Sequence, residues 1–322
     1  MTRFLLSRIG QSLLVVAVMS FVIYGLIGLM PGDPIDLMIS ADPDMTSQDA
    51  DRLRALYGLD LPIHERYWNW LTAALGGDLG YSRLFSQPVL DVLFPALWNS
   101  VLLLSLALGL SICIAVPIGA LAASRPRSIF DYGVNLFAFA GISLPQFWLG
   151  LLLMLLFAVV LGWFPAGGIA RDGAPLGEQL SYLVLPAATL TLASVGGHAR
   201  YVRSAMLEVL RQDYIRTARA KGAGRMRVIW MHALRNAMIP FVTILALDFG
   251  FLFSGALITE TIFAWPGMGK LIFDSVMGND YNLALVALLF ATSLVLLGNL
   301  LADLCYGWLD PRIVVGDRDG PT

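Results

Sequence analysis

Six stretches of this chain, 9–30, 96–123, 132–161, 182–199, 237–259 and 283–306, approach or exceed the roughly 20 apolar residues that a helix needs to cross a bilayer core. Nothing else in the sequence constrains the fold as hard. Hydrocarbon offers no water to backbone N–H and C=O groups, so such segments cross as helices. Hydrophobic residues make up 57% of the chain and charged residues only 14%, against about 25% in a soluble domain. The expectation is an all-α integral membrane protein with six transmembrane helices. The fourth stretch is the weakest, interrupted by Thr189, Thr191, Ser194 and Gly196-Gly197. The third contains Pro145, which predicts a tilt or a kink.

Arg3 and Arg8 precede the first stretch, as in a secretory signal. The run is too long for that, and Met30-Pro31-Gly32-Asp33-Pro34 has no small-x-small cleavage site, so it reads as a retained anchor. With the N-terminus in the cytoplasm, fifteen of the 21 Lys and Arg fall inside, nine of them between Arg200 and Arg235. That bias predicts both termini in the cytoplasm. The chain then divides into four sections. Residues 1–30 are the N-terminal end and first span, and 31–95 an extracytoplasmic loop. Residues 96–310 are a five-span core with a cytoplasmic loop at 200–236, and 311–322 a cytoplasmic tail. The 31–95 loop carries ten acids and four Arg, an amphipathic piece over 63–75 and a Gly76-Gly77-Asp78-Leu79-Gly80 turn. It is expected to form a small cap of short helices.

Catalytic motifs fail one by one. Gly269-Lys270 lacks the earlier Gly and following Ser or Thr of a phosphate loop, because Ala264 and Leu271 stand there. His64-Glu65 is followed by Tyr67-Trp68 where a zinc protease needs its second His. Gly141-Ile142-Ser143-Leu144-Pro145 lacks the second Gly of a hydrolase elbow. Three His and two Cys are too scattered for a metal site, and Cys113 and Cys305 read as small buried hydrophobes. No catalytic residue and no metal ligand is assigned. Asp248 and Asp303 are the only acids within the six stretches, and they stand at different depths, a poor fit to a paired-aspartate protease. A carboxylate at bilayer depth either fixes helix packing through hydrogen bonds or lines a wet path. Asp248, with Ser254, Thr189 and Ser194, is a candidate for either role. Asp303, near the inner face, suits packing or snorkelling.

Between the fourth and fifth stretches lies a basic island, Asp213 to Pro240. Ahead of it, Ala199, Val202, Ala205, Met206, Val209 and Leu210 share one helical face, with Arg200, Arg203, Glu208 and Arg211 off it. A second short helix is predicted over 214–221, stopped by Gly222, and a third over 225–238. The chain leaves the bilayer, lays a short helix across its path and returns. Such an island either sets topology and touches headgroups or is a knob offered to a cytoplasmic partner.

Tyr214-Ile215-Arg216-Thr217-Ala218-Arg219-Ala220-Lys221-Gly222, then His232-Ala233-Leu234-Arg235-Asn236-Ala237 and Pro240, resembles the "EAA" loop of ABC-importer permeases. It is closest to the peptide/nickel subfamily's form, in which the Glu is usually absent; Arg216-Thr217-Ala218 occupies the triplet. Pro31-Gly32-Asp33-Pro34, Gly77-Asp78-Leu79-Gly80, Ser143-Leu144-Pro145-Gln146-Phe147-Trp148, Leu185-Pro186-Ala187, Thr259-Glu260-Thr261-Ile262-Phe263-Ala264-Trp265-Pro266-Gly267 and Leu309-Asp310-Pro311-Arg312 match the same subfamily in order. The resemblance implies a type I, methionine-importer-like permease fold in a bacterial inner membrane. It implies a second homologous permease, forming a heterodimer with this chain, two ATPase subunits that hold the ATP and Mg, and an extracytoplasmic binding protein. No cofactor is implied in this chain itself, and no nucleic acid. Tyr214, Arg216, Thr217, Ala218, Arg219, Ala220, Lys221 and Gly222 would contact an ATPase, with Ala218 and Gly222 small enough for close approach. Di- or oligopeptides are the implied cargo, with nickel chelates, glutathione or another small solute as alternatives. A secondary transporter would show internal repeats and paired broken helices, and an intramembrane enzyme a nucleophile or metal cluster; neither is evident.

Overall fold

The computed structural model describes residues 2–29, 52, 61–171 and 173–309. The 31–51 part of the first loop, the 311–322 tail and the side chains of Ser254, Asp303 and Cys305 lie outside the described residues. The helices are α1 (Thr2–Gly28), α2 (Ile63–Leu75), α3 (Val89–Ser124), α4 (Ile129–Ser143), α5 (Gln146–Leu153), α6 (Leu176–Val209), α7 (Asp213–Ala220), α8 (Leu234–Ile262), α9 (Met268–Met277) and α10 (Tyr281–Leu309). A π-helical stretch, Met154–Val160, extends α5, and another, Val228–Ala233, leads into α8. Between α2 and α3, strands β1 (Tyr81–Ser82) and β2 (Gln87–Pro88) form an antiparallel hairpin with Tyr81 opposite Pro88.

Helices α1, α3, α6 and α10 are each long and apolar enough to cross a membrane, and α4 with α5 makes a fifth candidate if the pair is one span. The 29-residue α8 covers the expected fifth stretch. The third stretch departs furthest from expectation. It is not a kinked helix but two helices at 99°. Leu144 is extended, as a residue before proline is driven to be, and Pro145 then starts α5. Neither half alone reaches the roughly 20 residues of a crossing.

Buried clusters fix which ends lie together. Ala120 and Ala123 of α3 pack with Val202 and Met206 of α6 and Phe241 of α8. Leu103 and Leu104 of α3 pack with Leu183 and Leu190 of α6 and Ala256 of α8. So α3 and α6 run parallel, α8 runs against both, and α4 and α5 together carry the chain from one pole to the other. At the far pole Val89 and Leu93 meet Met268, Leu271 and Leu283. Ile23 and Ile27 of α1 lean on Ala284 and Leu285 of α10. The amphipathic piece expected over 63–75 is α2, and its Tyr67 hydroxyl is hydrogen-bonded to Ser20 of α1 at 2.7 Å.

The far pole, which carries the hairpin, is tied by two buried carboxylates. Glu260 accepts from the Ser100 hydroxyl and from the Lys270 N–H at 3.0 Å, while Ser100 Oγ accepts from the Met268 N–H at 2.7 Å. These are the unpaired donors that open α9. A Cβ on Gly267 would lie 2.3 Å from the Glu260 carboxyl, so any larger residue there would have to displace that buried group. Asp280 accepts from Ser82 Oγ at 2.6 Å, from the Leu84 N–H at 2.9 Å and from the Leu283 N–H at 3.3 Å, joining the hairpin to the start of α10.

Candidate functional site: a polar helix on an apolar root

Helix α7 is held by one apolar side chain. Ile215 is 0% exposed, clustered with Ala120 and Ala123 of α3, Val202 and Met206 of α6, and Val228, Ile229 and Phe241 on the way into and along α8. Tyr214, Arg216, Thr217, Arg219, Ala220, Lys221 and Gly222 are exposed, and Ala218 is half-buried. Asp213 in the first turn and Arg219 in the last suit the helix dipole. Arg216 also lies 3.5 Å from Asp213, a solvent-exposed pair that adds little.

The helix ends in a Schellman motif. The Gly222 N–H donates to the Arg219 carbonyl at 2.9 Å and the Ala223 N–H to the Ala218 carbonyl at 3.1 Å, with Gly222 at φ +81°. A Cβ on Gly222 would meet nothing within 4 Å. Among the described residues, glycine is therefore required here by backbone angle and not by crowding. Arg225 then donates to the Ser124 carbonyl at 2.8 Å, pinning the loop to the open end of α3.

A second clamp, missed in the sequence, joins α4 to α6. Buried Asp131 accepts from both Nε and Nη2 of Arg203, the latter at 2.7 Å, and from the Arg127 N–H at 2.9 Å. Ser128 Oγ caps α4 by accepting from the Asp131 N–H at 3.2 Å. Asp131 stands one residue before the predicted third stretch; the Ser128-x-x-Asp131 capping pattern was the available signal.

The candidate pathway residues separate. Asp248 Oδ2 lies 2.7 Å from His198 Nε2, and His198 Nδ1 lies 2.7 Å from Ser111 Oγ. Ser111 and His198 are buried, whereas the Asp248 side chain is 37% exposed. It lines an open cavity of about 460 Å³ with Gln146, Ser194, His198 and Tyr201. Ser194 satisfies its hydroxyl on the Leu190 carbonyl at 2.9 Å. Thr189 is buried facing Gly150, and donates to the Leu185 carbonyl at 2.9 Å. Ser254 contributes backbone to α8, its side chain being outside the described residues. His198 was passed over in the sequence, although an ionisable group at bilayer depth is itself a signal.

The family described as "Binding-protein-dependent transport system inner membrane component" matches residues 115–315, and its N-terminal companion, "Binding-prot-dependent transport system membrane comp, N-term", matches residues 1–99. The chain belongs to this family of inner-membrane transport components. It is 40% identical, over 94% of its length and 95% of the relative's, to the oligopeptide transport system permease protein AppB of Bacillus subtilis (strain 168). It is 37% identical, over 97% and 99%, to the di/tripeptide transport system permease protein DppB of Pseudomonas aeruginosa (strain UCBPP-PA14).

Proposed function

We propose that this chain is one permease subunit of a type I ABC importer for di- or oligopeptides, with α7 as the helix that receives the ATPase's motion. The observation that carries the reading is the architecture of α7. Its outer face is polar and basic, and its root, Ile215, sits in one apolar cluster with the ends of α3, α6 and α8. A push on α7 displaces that cluster as a unit, because packed interiors transmit strain. The relatives named as peptide permeases support the cargo. Six crossings fit the packing, with α4 and α5 as one broken crossing and both termini on the α7 side, in the cytoplasm. A second homologous permease completes the path as a heterodimer. Two ATPase subunits supply ATP and Mg, and a binding protein delivers peptide from outside.

The test is purification in mild detergent followed by reconstitution. The expected result is co-purification of a second permease and ATPases, and ATP-driven peptide uptake. Recovery of this chain alone, with uptake driven by an ion gradient, would sink the reading. Uptake of a nickel chelate or glutathione in place of peptide would keep the machine and replace its cargo. Gly222→Arg is expected to leave membrane insertion intact and uncouple ATP hydrolysis from transport. Wild-type transport in that variant would remove α7 as the coupling element.

A further inference from the structure

The Ser111–His198–Asp248 chain has a polarity that says what it is for. In a serine hydrolase, imidazole Nε2 faces the nucleophile and Nδ1 faces the carboxylate. Here Nδ1 faces Ser111 and Nε2 faces Asp248. The serine is 0% exposed, so no substrate reaches it, and the end that opens on the cavity is the carboxylate. In one arrangement the Ser111 hydroxyl donates to Nδ1 and Nε2–H donates to Asp248 Oδ2, so that the relay uses one carboxylate oxygen and leaves the other outside it. The partly exposed Asp248 side chain lines the cavity. Among the described residues the ion-pair partner of Asp248 is this histidine alone. A carboxylate at bilayer depth that is oriented by a buried relay and lines a cavity is suited to receive a cation.

We infer that Asp248, positioned by His198 and Ser111, is a polar station on the transport path that takes the ammonium group of the cargo. This rests on the peptide-import reading, since a peptide presents such a group at its amino terminus whatever its side chains. Asp248 is the binding group, and His198 and Ser111 are positioning residues.

The experiment uses the full importer in proteoliposomes: both permeases, the ATPases and the binding protein saturated with radiolabelled trialanine, which has no basic side chain. Asp248→Asn is expected to lower ATP-dependent uptake tenfold or more in complexes that co-purify normally, and Asp248→Glu to keep at least a third of wild-type uptake. Wild-type uptake in Asp248→Asn overturns the inference. Equal loss in both variants also overturns it, because packing and not charge is then what the position requires. If Asp248→Asn does not assemble with the partner permease, Ser111→Ala carries the test, as it removes one buried oxygen and leaves the carboxylate. A threefold or greater drop in uptake supports the relay, and unchanged uptake overturns it. A wild-type complex that takes up no peptide overturns the peptide reading and this inference with it. One that takes up trialanine while Asp248→Asn matches it overturns this inference alone.

Discussion

The hairpin and helix α7, at opposite poles of the molecule, are held by different forces. At the hairpin pole, elements far apart in sequence are tied by directional bonds: Glu260 to Ser100 and the start of α9, Asp280 to Ser82 and the start of α10. At the α7 pole, the short helix is held by Ile215 in an apolar cluster, and its hydrogen bonds are mostly its own. Buried hydrogen bonds fix distance and angle, and lose their value when either changes. Apolar burial depends on area removed from water and has little direction. The hairpin is thus built to keep its geometry, and α7 to stay packed while it shifts with its apolar cluster, beside the directional Asp131–Arg203 clamp of the same pole.

The sharpest way to break that contrast is Glu260→Ala. It leaves the Ser100 hydroxyl and the Lys270 N–H without their buried acceptor, at about 1–3 kcal/mol for each unsatisfied group. A cavity adds to that cost. The expected loss is about 3 kcal/mol or more, read as a fall in the thermal midpoint of the detergent-solubilised protein. A wild-type midpoint would mean that the hairpin pole is not polar-locked.

Ile215→Ala tests the other pole. Truncating a buried aliphatic side chain to Ala costs about 2–5 kcal/mol. Because α7 is short and joined by turns, that loss is expected locally, as faster amide exchange over residues 214–220 with a smaller change in the global midpoint. Unchanged protection there would show that the helix does not depend on its apolar root.

Legibility in the sequence follows the range of the interaction. Features set by neighbours along the chain were readable: the apolar runs, the amphipathic 63–75 piece that is α2, and Gly222 as the stop of α7. Pro145 announced a break, but not its 99° angle, which depends on what α4 and α5 pack against. The Ser111–His198–Asp248 chain joins residues 87 and 50 positions apart, and no spacing rule reaches that far. Asp131 and Glu260 each stand one residue outside a predicted apolar stretch, where they pass for loop charges. The helices run past those limits and bury them. Thr189, named for packing or for a path, has the arrangement of a packing residue. Its hydroxyl is satisfied by a carbonyl of its own helix, so a polar atom in an apolar run was no evidence of a wet path.

The smallest effect is the cleanest, because it separates backbone from packing at the end of α7. Gly222 has φ +81° and open space where a Cβ would stand. Gly222→Ala should therefore cost about 1 kcal/mol, the left-handed penalty for a residue with a Cβ, and nothing for collision. Asn tolerates that region better than Ala, so Gly222→Asn should cost less. The readout is amide exchange at Ala223, whose N–H closes the turn on the Ala218 carbonyl. If Asn proves worse than Ala, the position is limited by volume. Since nothing among the described residues lies within 4 Å, that volume would have to be occupied by a partner, and the glycine would then be read as a contact residue and not as a turn residue.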